Sequence, residues 1–242
     1  MLLRAEAHRP AYDDFVKSLD IVPDDPIALD GLIRASAPVN RVPDARVLLT
    51  RFAADPSNTA AKLALSRLLA SQGEMVEAVR IPLGVLVGDT GNVPALEQLA
   101  SVLADMGDAE RLAPVATRLL AEAPYNAWAH YYAASAWFLQ QRPDQALREA
   151  RTAVAIDPGH AKAHNLVGAC LATLGQREQA QAAFEASIKA DPREPGTYIN
   201  LATLELQSGN RARARRYFAE ALTVDPASEQ ARQGLAAIDG SR

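Results

Sequence analysis

The chain has 242 residues, with 25 Lys and Arg against 29 Asp and Glu, so its formal net charge is -4. Hydrophobic residues make up 49% of it, which is ample for a buried core and excludes an intrinsically disordered composition. The mild acidity disfavours a nucleic-acid partner, which a basic surface would attract, and the single cysteine, Cys170, excludes a disulfide framework and a cysteine-based zinc site.

The sequence predicts no contact with a membrane. No segment reaches the roughly 18 apolar residues that cross a bilayer. Residues 1–6 carry charge where a secretory signal needs an apolar run of about 7–15 residues. We therefore expect a cytoplasmic protein by default.

A period of 34 residues is the strongest signal in the sequence. Asp-Pro pairs stand at 157–158, 191–192 and 225–226, one period apart. Small residues recur in register before each pair, as repeat proteins require where helices cross. These small residues are Ala134, Gly168 and Ala202, then Ala146, Ala180 and Ala214, then Ala153, Ser187 and Ala221.

Taken in chain order, the period divides the sequence into successive elements. Residues 1–24 form a partial repeat, equivalent to a second helix, or a separate N-terminal helix. A divergent repeat, 25–58, follows, and then repeats over 59–92, 93–126, 127–160, 161–194 and 195–228. Residues 229–242 are predicted to be a C-terminal capping helix and tail, because a solenoid needs a polar end.

Each repeat is predicted to be a pair of helices. In 161–194, apolar residues follow helical spacing, and Gly175 is suited to ending the first helix because glycine tolerates a left-handed backbone. Pro192 ends the second helix, because proline cannot continue one. One such hairpin cannot bury its apolar face alone, so several must stack.

Prolines disturb the pattern in the N-terminal half. Pro82 and Pro114 lie inside predicted second helices, where we expect each to kink or shorten its helix. Pro38 and Pro43 flank an irregular first turn. These features affect local curvature and helix length, while the repeat itself continues.

Small residues at repeat positions 8, 20 and 27, with proline at position 32, resemble the tetratricopeptide repeat (TPR) family. The resemblance covers nearly the whole chain. It implies an all-α fold, a right-handed superhelical solenoid of antiparallel helix pairs, with a concave groove that binds a protein or peptide partner. A start on the second half of a repeat is compatible with a piece of a longer protein or with an oligomer contact that replaces the missing helix.

The sequence contains no recognisable catalytic or cofactor site. It has neither a Gly-rich phosphate loop nor a nucleophile serine between glycines. His160 and His164 have the i, i+4 spacing of a metal pair, but His160 is predicted in the loop before the helix, which favours packing histidines over a metal site. Cys170 occupies an apolar core position, and Arg211, Arg213, Arg215 and Arg216 are predicted to form a solvated outer surface.

Aromatic residues concentrate in one helix of the repeat 127–160. Six of the 13 aromatics fall between Tyr125 and Phe138, including both tryptophans. Trp137 is expected in the core. In TPR solenoids, positions 2, 5, 6, 9, 12 and 13 line the groove, and by resemblance the groove-lining set of partner-binding residues comprises Trp128, Tyr131, Tyr132, Ser135, Phe138, Arg67, Glu97, Lys162, Asn165, Asn200 and Thr203.

The aromatic groove residues have two interpretations. Rings of this size are enriched at binding hot spots, which favours a platform for a partner. Alternatively they fill gaps that the alanines leave between repeats. The lysine and asparagine clamp with which some TPR domains hold a chaperone tail is not reproduced, and a long asparagine ladder is absent.

We therefore predict a non-enzymatic adaptor that needs no cofactor or metal and binds a protein or peptide in its groove. The first alternative is an accessory TPR domain of a larger bacterial enzyme or assembly factor, such as a sulfatase-like, glycosyltransferase or cytochrome-assembly protein. The second is an enzyme in its own right, which the lack of a convergent polar constellation disfavours. The third is self-association through the N-terminal end.

Overall fold

The structure is a computed structural model that describes the backbone of residues 2–240 and the side chains of residues 9–240. All regular secondary structure in this part of the chain is helical, so the predicted all-α class is confirmed. The chain divides into two bodies, Met1–Met106 and Gly107–Arg242, each of which packs its own helices. No helix within residues 2–240 combines the length and apolar character that crossing a bilayer requires.

The N-terminal body contains six helices, in which each helix packs on the next along the chain. They are α1 (Leu2–Ile21), α2 (Pro26–Ser36), α3 (Val42–Ala53), α4 (Thr59–Ser71), α5 (Met75–Gly88) and α6 (Val93–Asp105). Its main core lies between α1 and α4 and is built on Tyr12, Leu29, Leu49 and Leu68. The alternate helices α2, α4 and α6 also contact one another, so they share one side of this body.

The C-terminal body continues the same plan with eight helices. They are α7 (Ala109–Glu122), α8 (Ala127–Leu139), α9 (Pro143–Ile156), α10 (Ala161–Thr173), α11 (Arg177–Ala190), α12 (Pro195–Gln207), α13 (Arg211–Val224) and α14 (Glu229–Asp239). The helices α8, α10, α12 and α14 start at intervals of 34 residues, as do α7, α9, α11 and α13. The repeat boundaries themselves remain predictions. The 34-residue interval between helix starts is the structural observation to compare with them.

A side-chain cap fixes the start of each even-numbered helix from α4 to α14. The residue before the helix accepts a hydrogen bond from a backbone N–H of the first turn, which would otherwise lack a partner. The capping residues, one period apart, are Asn58, Asn92, Asn126, His160, Glu194 and Ser228. Only His160 brings a ring to this position.

The two helices of a pair approach closely where a small residue lies between them. A Cβ atom built on Gly168 of α10 would lie 2.5 Å from Cδ1 of Phe184 on α11, well inside van der Waals contact. Phe184 is itself almost fully buried, so its ring occupies the space between the two helices. The glycine is therefore required by the crossing of α10 and α11, as the sequence pattern predicts.

The turns between paired helices need a left-handed residue. Gly73, Gly175 and Gly209 take positive φ values there, as expected for glycine after a helix. Gln141 takes the equivalent position between α8 and α9 with φ of 60°, and Asn40 has φ of 57° in the turn between α2 and α3. A side chain in this backbone region is strained, and asparagine tolerates it better than glutamine does.

The internal prolines do not shorten their helices. The helices α5 and α7, which contain Pro82 and Pro114, have 14 residues each, the same as α9, α11 and α13. The expectation of shorter helices is therefore wrong. A proline removes one backbone hydrogen bond, and packing of the flanking turns holds the helix together on both sides of it.

Gly168→Leu is expected to lower the free energy of unfolding by about 1–3 kcal/mol, because the added atoms overpack the contact with Phe184. Gly84→Ala is the matched control, since nothing lies within 4 Å of its Cβ position and alanine favours a helix by up to about 1 kcal/mol. Urea denaturation of both variants measures the difference. Equal effects of the two substitutions would show that the α10–α11 crossing is not tightly packed.

Gln141→Gly is expected to raise the free energy of unfolding by about 0.5–1 kcal/mol, because glycine adopts the left-handed turn without a Cβ clash. The reverse substitution at the equivalent turn, Gly175→Ala, is expected to lower it by about 1 kcal/mol. Thermal and chemical denaturation test both. A loss of stability in Gln141→Gly would mean that the side chain of Gln141 contributes more than its backbone strain costs.

Candidate partner-binding site

The first-helix face, as we name it, is the surface that α8, α10 and α12 form side by side in the C-terminal body. It carries most of the residues that the sequence nominates for the groove. They fall into two groups at different levels of the helices. One is an aromatic cluster at the start of α8, and the other is a small cavity nearer the ends of α8 and α10.

The aromatic cluster consists of Trp128, Tyr131, Tyr132 and His160. The ring centroids of Trp128 and His160 lie 4.2 Å apart, and those of Tyr131 and His160 lie 5.3 Å apart. Trp128 also stacks on Tyr132 at 5.8 Å and meets Tyr131 edge-on at 5.6 Å. These distances are those of favourable aromatic pairs, so the four rings act as one rigid block.

His160 was not among the residues that the sequence nominated for binding. Its predicted place in the loop before the helix is correct, because it caps α10. From that place its ring reaches back to α8 and completes the cluster. The sequence does indicate its capping position, because His160 follows Asn92 and Asn126 at intervals of 34 residues. The place of its ring is shown only by the fold.

The environment of His160 favours the neutral ring. Its Nδ1 accepts a hydrogen bond from the backbone N–H of Ala163, so the proton of the neutral imidazole lies on Nε2. Nε2 is buried and has no hydrogen-bond partner within the described residues. Burial lowers the pKa of His160 below its ordinary value of 6.5, although the nearby Asp157 acts in the opposite direction.

The rings differ in what they offer a partner. Trp128 is 39% exposed and Tyr131 is half-buried, whereas Tyr132 is only 6% exposed. Ser135 is also buried, and its hydroxyl donates to the carbonyl oxygen of Tyr131. The prediction that Tyr132 and Ser135 line an open groove therefore needs correction, because the packing of α8 against its neighbours turns both inward.

The remaining aromatics of this segment do not join the cluster. Trp137 is half-buried against the core, as predicted, and the guanidinium of Arg142 lies 4.4 Å over its ring. Tyr125 is 89% exposed before the start of α8. The aromatic residues of this segment therefore have different roles: some form the aromatic cluster, Trp137 packs on the core, and Tyr125 is exposed.

A cavity of about 190 Å³ opens farther along the same face. Phe138 and Phe184 supply its aromatic walls, and Asn200 and Thr203 supply polar atoms at its edge. Its other lining residues are Ala169, Ala172, Thr173, Leu204 and Gln207. Three nominated groove residues, Phe138, Asn200 and Thr203, are therefore brought together around one opening.

Asn165 and Asn200 form an amide pair between α10 and α12. The Nδ2 of Asn200 donates to Oδ1 of Asn165 over 2.9 Å. Both side chains are half-buried, and so is Lys162 on the same side of α10. Although their repeat positions differ by one residue, the fold places the two asparagines in contact.

Arg67 and Glu97 belong to the N-terminal body, on α4 and α6. Both are half-buried. Burial lowers the pKa of Arg67, and Asp30 acts in the opposite direction. The neighbouring Gln98 is buried and donates to the hydroxyl of Ser66, so α4 and α6 are joined by polar contacts at this level.

His130 and His164 have structural partners. Nε2 of His130 lies 3.0 Å from the carbonyl oxygen of Pro124, and Nε2 of His164 lies 2.9 Å from that of Pro158. Tyr198, one period later, donates to the carbonyl oxygen of Pro192. The position therefore ties each helix to the turn before it. Within residues 9–240, no group of three or more His, Cys, Asp or Glu side chains has a metal-binding arrangement.

Neither the cysteine nor the arginine run forms a reactive site. Cys170 is fully buried, and burial raises the pKa of its thiol to about 12, which opposes thiolate chemistry. The four arginines of α13 are exposed, as predicted. Arg215 pairs with Asp239 of α14 at 2.7 Å, so part of this run holds the last helix.

Comparison with known proteins supports the resemblance found in the sequence. Residues 171–238 match the family model described as tetratricopeptide repeat. None of the curated proteins matches the chain. Since the matched residues begin at Leu171 in α10, they include one complete helix pair, α12–α13, and reach into α14.

Solved structures show the same fold over most of the chain. A thermophilic TPR protein from Thermus thermophilus superposes with a TM-score of 0.67 at 22% identity, over 74% of this chain and 98% of that one. A chain of the APC/C heterotetramer Cut9–Hcn1 gives a TM-score of 0.72 at 14% identity, over 97% of this chain but only 46% of that one. MamA gives 0.50 at 23% identity, over 67% of this chain and 95% of that one.

His160→Asn is expected to remove part of the acid sensitivity of folding. Because the pKa of His160 is depressed in the folded state, its contribution to stability is complete above the ordinary value of 6.5 and is lost as pH falls toward the lower folded-state value. Asparagine keeps the cap, as at Asn126, and does not titrate.

Urea denaturation of wild type and His160→Asn from about pH 8 to about pH 5 tests this, and the variant should show the smaller loss of unfolding free energy. The other ionisable side chains are the same in both proteins, so their contribution cancels in the comparison. If the unfolding free energy fell by the same amount in both proteins, the pKa of His160 would be the same in the folded and unfolded states.

Proposed function

We propose that this chain, whose residues 171–238 are tetratricopeptide repeats, is a protein-binding adaptor that holds a partner peptide or helix on its first-helix face. Folds of this type commonly serve as scaffolds for protein–protein interaction. The observation that carries the proposal is the rigid aromatic block beside a small cavity on one face of the C-terminal body.

The aromatic block is suited to be the anchor of the interaction. Trp128 exposes part of its ring while Tyr132 and His160 hold it from behind. A partner side chain that covers Trp128 would bury apolar area on a surface that is already ordered, so little entropy would be lost. We assign Tyr132 and Ser135 a supporting role, because their burial leaves the contact itself to Trp128 and Tyr131.

The cavity and the amide pair would fix the register of the partner. A branched apolar side chain could enter between Phe138 and Phe184, since the walls there are apolar and the edge is polar. The amide pair uses one N–H of Asn200 and one oxygen lone pair of Asn165. Its remaining donors and acceptors match those of a peptide unit, which offers one of each.

Charged residues would contribute to selectivity. Lys162 lies on α10 between the aromatic block and the amide pair and would favour a partner with an acidic residue at that level. In the N-terminal body, Arg67 and Glu97 occupy the corresponding side of α4 and α6. We include them as candidate partner contacts of the N-terminal body.

No catalytic role is proposed. The mechanism is binding alone, and the polar groups of the first-helix face make the contacts expected of a recognition surface. The alternative of an accessory repeat domain within a larger bacterial protein stays open, and it would use the same surface for the same purpose. We propose the cytoplasm as the compartment.

Selection from a phage-displayed peptide library on the intact chain tests the proposal. Peptides that bind wild type are expected to lose at least about tenfold in affinity to Trp128→Ala, which corresponds to about 1.4 kcal/mol for one aromatic anchor. Tyr125→Ala is the matched control, because it removes an exposed aromatic ring just before α8 without touching the aromatic block. Its affinity should equal that of wild type.

Circular dichroism and thermal melting establish that each variant is folded before binding is compared. A second variant, Thr203→Trp, fills the mouth of the cavity from an exposed position and should also weaken binding. Peptides that bind both variants as tightly as wild type would place the interaction elsewhere. If the library yields no binding peptide, the proposed peptide-binding function is wrong.

A further inference from the structure

A second surface with the character of an interface lies in the N-terminal body, away from the side that α2, α4 and α6 share. The helices α3, α4 and α5 enclose a cavity of about 750 Å³, the size of a binding pocket. Its walls are mainly apolar and come from Leu65, Leu69, Ile81 and Val85. We call it the α3–α5 cavity.

The rim of the α3–α5 cavity keeps a small excess of positive charge. Arg46, Lys62 and Arg80 line it, with Glu77 as the single acidic lining residue. Arg46 makes a bidentate pair with Glu74, and Arg80 pairs with Glu77 at 2.8 Å, so two of the three cations already face a carboxylate of the same chain. Lys62 supplies the excess positive charge, and an apolar floor with such a rim fits an apolar segment that carries a carboxylate.

The helices that line the cavity also expose apolar residues outside it. Val87 at the end of α5 is 86% exposed, and Val76, Leu83 and Val47 also lie at the surface of α5 and α3. These residues are not part of the cavity wall, and scattered exposed apolar residues need no explanation. The apolar contact surface is therefore the cavity itself.

The complementary surface is on the same chain. At the turn between α1 and α2, Ile21 and Ile27 are 81% and 77% exposed, and Val22 is exposed beside them. Asp20, Asp24 and Asp25 belong to the same segment; Asp20 pairs with Arg51 and Asp25 caps α2, which leaves Asp24 as the carboxylate considered for a contact. We call this segment, residues 20–27, the acidic corner. It has the apolar centre and negative flanks that the α3–α5 cavity fits.

The acidic corner and the cavity lie at the same end of the N-terminal body. The Nδ2 of Asn58 donates to the carbonyl oxygen of Pro23 over 3.0 Å, which joins the α1–α2 turn to the α3–α4 turn. Ala53, Ala54 and Lys62, on either side of the α3–α4 turn, line the cavity. Neighbouring complementary surfaces on one molecule can pair reciprocally across a two-fold axis.

We propose that the chain forms a two-fold symmetric dimer in which the acidic corner of each copy docks in the α3–α5 cavity of the other. Ile21, Val22 and Ile27 would enter the cavity, and the carboxylate of Asp24 would face Arg80 and Lys62. The residues of this surface all belong to the N-terminal body, whereas those of the first-helix face belong to the C-terminal body.

Light scattering after size exclusion, with the intact chain at about 1–100 μM, measures the mass directly. Wild type is expected to approach twice 25.9 kDa as concentration rises, and to dissociate more readily in high salt because the rim is charged. A mass of one chain throughout this range would overturn the proposal and would leave a different protein as the occupant of the cavity.

Two phenylalanine substitutions on α5 locate the contact. Gly84 lines the cavity and Gly88 does not, and nothing lies within 4 Å of the Cβ position of either. Gly84→Phe should therefore fold and fill the cavity, which weakens the dimer at least about tenfold, while Gly88→Phe should leave it unchanged. A dimer that Gly84→Phe does not weaken would form through another surface and would also overturn the proposal.

Charge reversal provides a test that does not depend on filling the cavity. Arg80→Glu and Asp24→Lys should each weaken the dimer, since like charges would then face each other at both contacts. An equimolar mixture of the two variants should dimerise again, because the glutamate introduced in one copy would face the lysine introduced in the other. Failure of the mixture to recover would contradict the proposed pairing. Trp128→Ala should keep the wild-type mass, which separates this test from that of peptide binding.

Discussion

The close approach of paired helices at small residues is the constraint on which the rest of this structure depends. Because Gly168 has no side chain, the ring of Phe184 occupies the space that a Cβ atom at position 168 would take. Ala134 and Ala202 are fully buried at the equivalent positions. A pair of helices in such contact still leaves an apolar face uncovered. Within each body a pair is therefore completed by the next, so that α2, α4 and α6 lie in sequence in one body and α8, α10 and α12 in the other.

This arrangement explains why one face is available for binding. The paired helices bury the small residues between them, so larger side chains are left for the outer surfaces. In the repeat that contains α8, those larger residues are aromatic, and His160 links them to the start of α10. The same histidine caps a helix and supports Trp128, so the stability of the helix start and the geometry of the aromatic block depend on one ring.

The two bodies differ in where they expose apolar surface. The C-terminal body exposes it on the first-helix face, around Trp128 and Phe138. The N-terminal body exposes it at the α3–α5 cavity, whose walls include Leu65 and Ile81. Exposed apolar surface is costly in water, and a protein with two such surfaces is suited to two separate contacts.

The sequence alone determined the helical class, the period and the helix-ending roles of Gly175 and Pro192, because these depend on local backbone preference and on spacing along the chain. It also assigned most of the nominated residues to α8, α10 and α12, since the repeat period fixes which helix a residue belongs to. Only the tertiary structure decided that Tyr132 is buried and that the ring of His160 completes the aromatic block. Burial and ring contact depend on how neighbouring helices pack, and residues on successive repeats carry no local signal of that contact.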